Sequence, residues 1–358
     1  MHNIAGYEIY QYDIYTIEEG LMKKSVIQST GMFVPPNIVT NHDLEDFMDT
    51  SDEWIRKRTG IEQRHWIDSD KVTGASDLGL EAAKHALDQA GWTPEDLDFI
   101  IFATLSPDIM FPGPGCLLQA KLGLDSIPAL DIRQQCTGFL YGLATADAYI
   151  KTGLANRVLL VGSEVHSSGL DKSTRGRDVT VIFGDGAAAV CIEGIETQAE
   201  AGLLATSLHA DGNYAEALMT ELPASKFPQR MIPGLDIDDA RYYPVMDGPA
   251  IFKKAVKMLP KVINESLEKA GMDLDQIDLI IPHQANLRIN QALGQYLKIS
   301  DDKVFHNIQK YGNTTAASIP LALHEAVEQG RTGKSGDTVL FVGLGAGLTW
   351  GSIIYRYL

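Results

Sequence analysis

The sequence predicts an α/β protein made of two similar halves, each a mixed sheet covered by helices, and three observations lead to that expectation. The segment ALDQAGWTPEDLDFII at 86–101 aligns without gaps on SLEKAGMDLDQIDLII at 266–281, at a constant offset of 180 residues, about half the chain. Each copy reads as an amphipathic helix stopped by a glycine, then an acidic turn, then a short apolar strand. The 358 residues are 45% hydrophobic and 22% charged, enough to bury the large core that two packed halves require.

Residues 1–21 are rich in tyrosine and acidic groups and precede Met22-Lys23-Lys24-Ser25-Val26-Ile27, where a β-branched strand can begin. They are expected to form an N-terminal extension, with Met22 as the functional start. The first half is then expected over 22–198 and the second over 199–358.

Within TSDEWIRKRTG, Trp54 and Arg58 stand four apart and share one helix face. Such a Trp can stack on a planar ring, although burial in the core is the simpler expectation. Cys136 lies in DIRQQCTGFLYGLATADAYI, between a polar strand end and an apolar helix. A thiol at a helix N-terminus faces unsatisfied N–H groups and the positive end of the macrodipole, which favour thiolate and make a nucleophile. The competing reading is a small buried hydrophobe, and Cys116 and Cys191, on apolar backgrounds, are read that way. Three widely spaced cysteines without a CxxC pair indicate neither a disulfide framework nor a zinc site.

FGDGAAAV at 183–190 reads as strand, turn, strand, with a structural role. In LIIPHQAN the second repeat copy places His283 at the carboxyl end of a buried strand, where α/β proteins commonly carry chemistry. A neutral imidazole there can donate to an oxyanion or serve as a base, whereas a lone histidine is more often structural. Asn313, in YGNTTAASIP, is either part of a turn and cap or a neutral donor that helps stabilise negative charge. The glycine run GLGAG at 343–347 follows a strand and precedes another, so it lacks the helix that a pyrophosphate would need. It reads as a tight turn whose backbone N–H groups approach a site closely.

A net charge of −17 argues against general nucleic-acid binding. No apolar run nears the roughly 18–20 residues that cross a bilayer, and the N-terminus shows no basic-then-apolar signal, so a cytoplasmic protein is expected.

Together TSDEWIRKRTGI, QQCTGFLYGL, VIFGDGAAA, HADG, PHQANLRI, YGNTTAASIP and GAGLTWG, in that order from about residue 23 to the C-terminus, resemble the β-ketoacyl-acyl-carrier-protein synthase III family of the thiolase superfamily. The resemblance implies a duplicated, thiolase-like five-layered αβαβα fold, a homodimer, and a catalytic trio of Cys136, His283 and Asn313. It implies that acyl-CoA acylates the cysteine and that malonyl-acyl carrier protein then condenses with loss of CO2. The two neutral donors would hold the negative charge, and backbone N–H groups at Cys136 and in the 345–347 turn would form an oxyanion hole. The expected CoA contacts are Trp54, Arg58, Arg177, Gly248 and Ala346, with CoA thioester as substrate and no metal or other cofactor. An acidic carrier protein needs a basic patch, for which Lys253, Lys254, Lys257 and Arg288 stand in the matching segments; a solvated helix face with one stray arginine explains them as well.

The sequence also departs from the family pattern. Gln134 and Gln135 replace small residues, Pro249 replaces an Asn, Leu344, Ala346 and Leu348 replace Phe or Gly, and the loop at 173–177 is about two residues longer. These changes argue against acetyl-CoA as primer and for a longer acyl chain or a specialised pathway. A degradative thiolase is disfavoured because no cysteine follows Cys191, and a plant-type polyketide synthase because it lacks the TSDEW and PHQANLRI segments. An acyltransferase to oxygen or nitrogen, or an enzyme joining two acyl chains, remains compatible with the trio. A non-catalytic partner subunit is disfavoured by the intact Cys136.

Overall fold

In the computed structural model, residues 23–226, 236 and 238–358 are described; the expected extension at 1–21 and the start at Met22 lie outside them. The elements that position the site are β1 (Lys23–Phe33), α1 (Asp52–Thr59), α2 (Ala75–Ala90), β2 (Phe99–Ala103), α3 (Pro114–Lys121), β3 (Ala129–Ile132), α4 (Gly138–Lys151), β4 (Arg157–Glu164) and β5 (Gly186–Glu196). They are followed by β6 (Gly202–Ala210), α5 (Gly248–Ala270), β7 (Leu279–Pro282), α6 (Leu287–Leu297), α7 (Ser318–Glu328), β8 (Thr338–Gly345) and β9 (Thr349–Arg356).

The repeat seen in the sequence is a repeat in space. One sheet runs β1-β5-β4-β2-β3 and the other β6-β9-β8-β7. In both, the first two pairings are antiparallel and the next is parallel. The position matching β3 in the second sheet shrinks to one parallel bridge between Ile280 and Val304, where Phe305 N–H donates to the Ile280 carbonyl at 2.9 Å. Both aligned helices end on a left-handed glycine, Gly91 at φ 67° and Gly271 at φ 63°, which glycine adopts at no steric cost.

Side chains alternate across each strand, so each sheet divides its apolar residues between two faces. Ile100, Phe102, Leu159 and Val161 pack under α2 and α3, whereas their neighbours Phe99, Ile101, Val158 and Leu160 face the middle of the molecule. There α4 and α7 lie between the two sheets, with Leu140, Leu143, Ile319 and Leu323 against Ile281, Phe341 and Ile353. On the far side α5 and α6 cover Ile280, Leu340, Val342 and Ile354. The result is the expected sequence of five layers, helix, sheet, helix, sheet, helix.

Each fully buried side chain in the central layer contributes about 1.5–3 kcal/mol. Polar groups buried at the ends of the two central helices therefore stand out as costs that need another reason. Among the described residues no helix is long and apolar enough to cross a membrane. One expectation is corrected here. Cys191 is buried, but Cys116 is exposed, because α3 turns Pro114, Gly115 and Leu118 inward and leaves Cys116 on its open face.

Candidate active site

A short 3₁₀ turn precedes each central helix, Gln135–Thr137 before α4 and Thr315–Ala317 before α7. Gln135 has φ 44° and Thr315 φ 49°, a left-handed backbone that costs a non-glycine residue energy, and the two sit at the same offset of 180 as the sequence repeat. These strained corners direct the chain into the helices and set Cys136 at the mouth of α4.

Cys136, His283 and Asn313 line one cavity with Gly248, Ile251, Phe252, Asn286, Leu344 and Gly345. The sequence trio thus converges. The backbone N–H groups of Cys136 and Ala346 both reach the Cys136 sulfur, so both are placed to receive an oxyanion formed on a carbonyl bonded there. Gly345 lies against the nucleophile so closely that an added Cβ would sit 2.6 Å from Cys136 Cβ and 3.2 Å from Sγ.

The expected thiolate is corrected by burial. Desolvation pushes the Cys136 thiol up to about 12, with the Glu164 carboxyl adding to the shift, and the two N–H contacts offset only part of it. The resting nucleophile is a thiol. Glu164, at the end of β4, is fully buried and accepts hydrogen bonds from Ser106 Oγ at 2.6 Å, Thr104 Oγ1 at 3.0 Å and the N–H of Leu105 at 3.2 Å.

Burial holds the Glu164 carboxyl up at about 7, against an ordinary value of 4.5. A raised folded-state value stabilises below 4.5 and is lost as pH rises through 7. The contribution is roughly 3 kcal/mol. Buried histidines His166 and His283, both held down near 3, act in the opposite direction below 6.5. The difference between wild type and Glu164→Gln isolates the carboxyl. In calorimetric unfolding, the wild type is expected to lose stability relative to the variant between pH 4.5 and 7.5, and a pH-independent difference would contradict this.

His283 follows β7, and its N–H donates to the Val342 carbonyl of the neighbouring strand at 2.8 Å. Its Nδ1 lies 2.6 Å from Ser318 Oγ, and that oxygen also accepts the Gln284 N–H at 3.4 Å. A neutral ring whose Nδ1 accepts the Ser318 hydroxyl proton carries its own proton on Nε2. Nε2 is buried without a hydrogen-bond partner among the described residues. Desolvation keeps the ring uncharged by lowering it to about 3. The result is a neutral N–H donor left free in the cavity.

Asn313 is tied down through its backbone. Its N–H donates to Ile182 and its carbonyl accepts from Gly184, forming a bridge beside Phe183. Its Oδ1 accepts the Thr315 N–H at 2.8 Å, which leaves Nδ2 to donate. The FGDG segment was read as strand, turn, strand, but a short helix, Arg177–Thr180, precedes it and the strand begins only at Gly186. Phe183 also lines the cavity, and Asp185 Oδ1 caps the N–H groups of His166 and Ser167.

At the mouth, Asn286 Nδ2 donates to the Arg58 carbonyl at 3.0 Å and so links the cavity to α1. Trp54 carries two guanidinium groups over its ring, Arg58 at 4.1 Å and Arg177 at 4.7 Å from the centroid. The sequence candidates Trp54, Arg58 and Arg177 are thus one cluster, with Trp54 half-buried. Gly248 lines the cavity at the start of α5, and Pro249 fits the first turn of that helix, where its missing N–H would have had no partner. Lys253, Lys254, Lys257 and Arg288 flank the lining residues Phe252 and Asn286. Lys254 lies over Tyr214 and Arg288 over Phe252.

A larger cavity of about 510 Å³ adjoins the first, sharing Cys136, Phe183 and Leu218 with it, and is lined by Arg133, Gln135, His166, Tyr242 and Ala346 among others. Ala346 thus lines this second cavity, while its neighbour Gly345 lines the first. Sequence reasoning missed Ser318, Glu164 and His166. Ser318 lies inside the YGNTTAASIP segment, five residues after Asn313, but only the fold reveals its contact with His283.

Comparison with known proteins follows the same lines. A family profile described as 3-oxoacyl-[acyl-carrier-protein (ACP)] synthase III matches residues 130–212, and one for the C terminal of the same enzyme matches 267–357. The chain is 44% identical to a β-ketoacyl-[acyl-carrier-protein] synthase III of Aquifex aeolicus, over 92% of this chain and 99% of that one. It is 42% identical to one of Methylococcus capsulatus, over 94% and 100%. The crystal structure of the synthase III from Aquifex aeolicus superposes with a TM-score of 0.83 at 43% identity, over 93% of this chain and 100% of that one.

Proposed function

The chain belongs to the 3-oxoacyl-[acyl-carrier-protein] synthase III family and is a condensing enzyme of the acyltransferase type, and from that premise we propose that it joins an acyl-CoA primer to malonyl-acyl carrier protein at Cys136, giving a 3-oxoacyl product for fatty acid or related biosynthesis. The observation that carries this reading is the convergence of Cys136, His283 and Asn313 on one cavity.

In the first step Cys136 Sγ attacks the acyl-CoA carbonyl. The carbonyl oxygen takes its charge against the N–H groups of Cys136 and Ala346, the bond to CoA sulfur breaks, and the thiol proton leaves on CoA. A thiol held near 12 does not ionise beforehand, so its proton departs as the new bond forms. In the second step the malonyl thioester oxygen lies between His283 Nε2–H and Asn313 Nδ2. The bond to the carboxylate breaks and CO2 leaves. The electron pair collects as an enolate on that oxygen, and the enolate carbon attacks the acyl-cysteine; the sulfur departs and regains a proton. Two uncharged donors serve this step better than a cation, which would hold the carboxylate in place.

The Trp54, Arg58 and Arg177 cluster offers a stacking surface and positive charge for the CoA nucleotide. None of Lys253, Lys254, Lys257 and Arg288 makes an ion pair among the described residues, which suits them to an acidic carrier protein. A homodimer is supported by the outer edge of β3, which no strand among the described residues covers, and by the apolar run Ile109, Met110 and Phe111, of which Phe111 is 75% exposed. The reading calls for no metal and no redox cofactor, and for a cytoplasmic setting where acyl-CoA is available.

The test is acylation followed by intact mass. Wild type incubated with a panel of acyl-CoAs is expected to gain one acyl mass that disappears in Cys136→Ala, and then to release CO2 when malonyl-carrier protein is added. Acylation without CO2 release would replace condensation by acyl transfer. No acylation at all would remove the enzymatic reading.

A further inference from the structure

The larger cavity lined by Cys136 contains one feature that an ordinary acyl chain does not need. Its walls are mostly apolar, with Leu105, Val165, Leu170, Leu218 and Met219 suited to a methylene chain. Among the residues lining it, Arg133 is the one charged side chain, and no Asp or Glu is present. Arg133 makes no ion pair, hydrogen bond or ring contact among the described residues. The side chains of Gln135, Thr220 and Tyr242, on the same lining, likewise make no hydrogen bond there.

We propose that the primer is an acyl-CoA whose acyl chain ends in a carboxylate, held by the Arg133 guanidinium with Gln135 beside it. This deepens the proposed function and rests on Cys136 being the acylated nucleophile. The chain would run from the acyl-cysteine along the apolar wall and end at a planar, two-pronged donor that matches a carboxylate. The guanidinium separates a carboxylate from an apolar tail through the charge-assisted pair it can form with the former. His166 adds no competing charge, since its Nε2 is engaged by Thr315 Oγ1 at 2.7 Å and burial keeps the ring neutral. In the acylation itself the terminal carboxylate does not react. The bond to CoA sulfur breaks, the bond to Cys136 sulfur forms, and the thiol proton leaves on CoA.

The experiment compares kcat/KM for acylation of Cys136, followed by intact mass, with glutaryl-CoA against pentanoyl-CoA and adipyl-CoA against hexanoyl-CoA. Each pair has equal chain length and differs at the tail. Wild type is expected to prefer the carboxylate-ended thioester by about tenfold or more, the scale of one charge-assisted hydrogen-bonded pair. Arg133→Gln is expected to reverse the preference mainly through KM, and Arg133→Lys to restore part of it. Arg133 is exposed, so both variants are expected to unfold at the wild-type temperature. Equal or opposite preference in wild type, or a ratio unchanged in Arg133→Gln, would overturn the proposal while leaving Cys136 acylation by uncharged thioesters, and so the condensing function, intact. No acylation by any of the four would defeat both.

Discussion

Gly345→Ala is expected to slow acylation of Cys136 at least a hundredfold while leaving a folded protein. Gly345 ends β8 and faces the nucleophile directly. A Cβ there would stand 2.6 Å from Cys136 Cβ, 3.0 Å from its backbone nitrogen and 3.2 Å from Sγ. Two of those contacts are with atoms fixed by the turn into α4, so no rotamer change relieves them and either the turn or the strand must shift by several tenths of an ångström. Either shift damages the same step, because Cys136 N–H and Ala346 N–H, the proposed donors to the reacting carbonyl, both reach the sulfur at this contact. Misplacement of about 1 Å costs on the order of a hundredfold in rate. Gly343→Ala, whose Cβ would stand 3.3 Å from His283 Cβ and 3.6 Å from the Cys136 carbonyl oxygen and Ile319 Cδ1, is the matched control and is expected to lose much less. Intact-mass acylation rates and thermal unfolding of both variants decide the matter. A Gly345→Ala protein that acylates at the wild-type rate would mean that the backbone around Cys136 is not the oxyanion site.

Much of this architecture is legible in the sequence because its signals are local. A glycine after an amphipathic helix marks Gly91 and Gly271 whatever surrounds them, and short apolar runs mark β2 and β7. The same offset of 180 relates Gln135 to Thr315, so the strained corner at the nucleophile has a counterpart in the other half, beside Asn313. What is not legible depends on distant parts of the chain. The helix start at Cys136 points to a thiolate, yet desolvation by the two packed sheets outweighs it, and Glu164 comes from the end of a strand 28 residues later. Cys116 reads as core from its neighbours, but a helix of two turns has an open face that its neighbours do not reveal. Gln134 and Gln135 stand out in the sequence as departures from the family pattern just before Cys136. That Arg133, without a partner among the described residues, shares a cavity with Leu218, Tyr242 and Pro244 is visible only in the fold.

Separating the two half-reactions gives the second large effect. His283→Ala and Asn313→Ala are each expected to accept the acyl group at close to the wild-type rate and to lose CO2 release by about 10²- to 10³-fold, the cost of removing one preorganised donor to a developing oxyanion. The asymmetry follows from the placement of the donors. In the proposed mechanism acylation draws on backbone N–H groups at Cys136 and Ala346, which neither substitution touches, whereas decarboxylation draws on His283 Nε2 and Asn313 Nδ2. Because both donors hold one oxygen, the double variant is expected to lose far less than the product of the single losses. Ser318→Ala tests how the histidine is held. Without the hydroxyl at 2.6 Å the proton is no longer directed to Nε2, so CO2 release should fall by an intermediate factor with acylation intact. A merely structural serine would lower stability and slow both steps together. Equal loss of acylation and CO2 release in His283→Ala would show that the imidazole acts on the thiol, and the assignment of neutral donors to the second step would have to be given up.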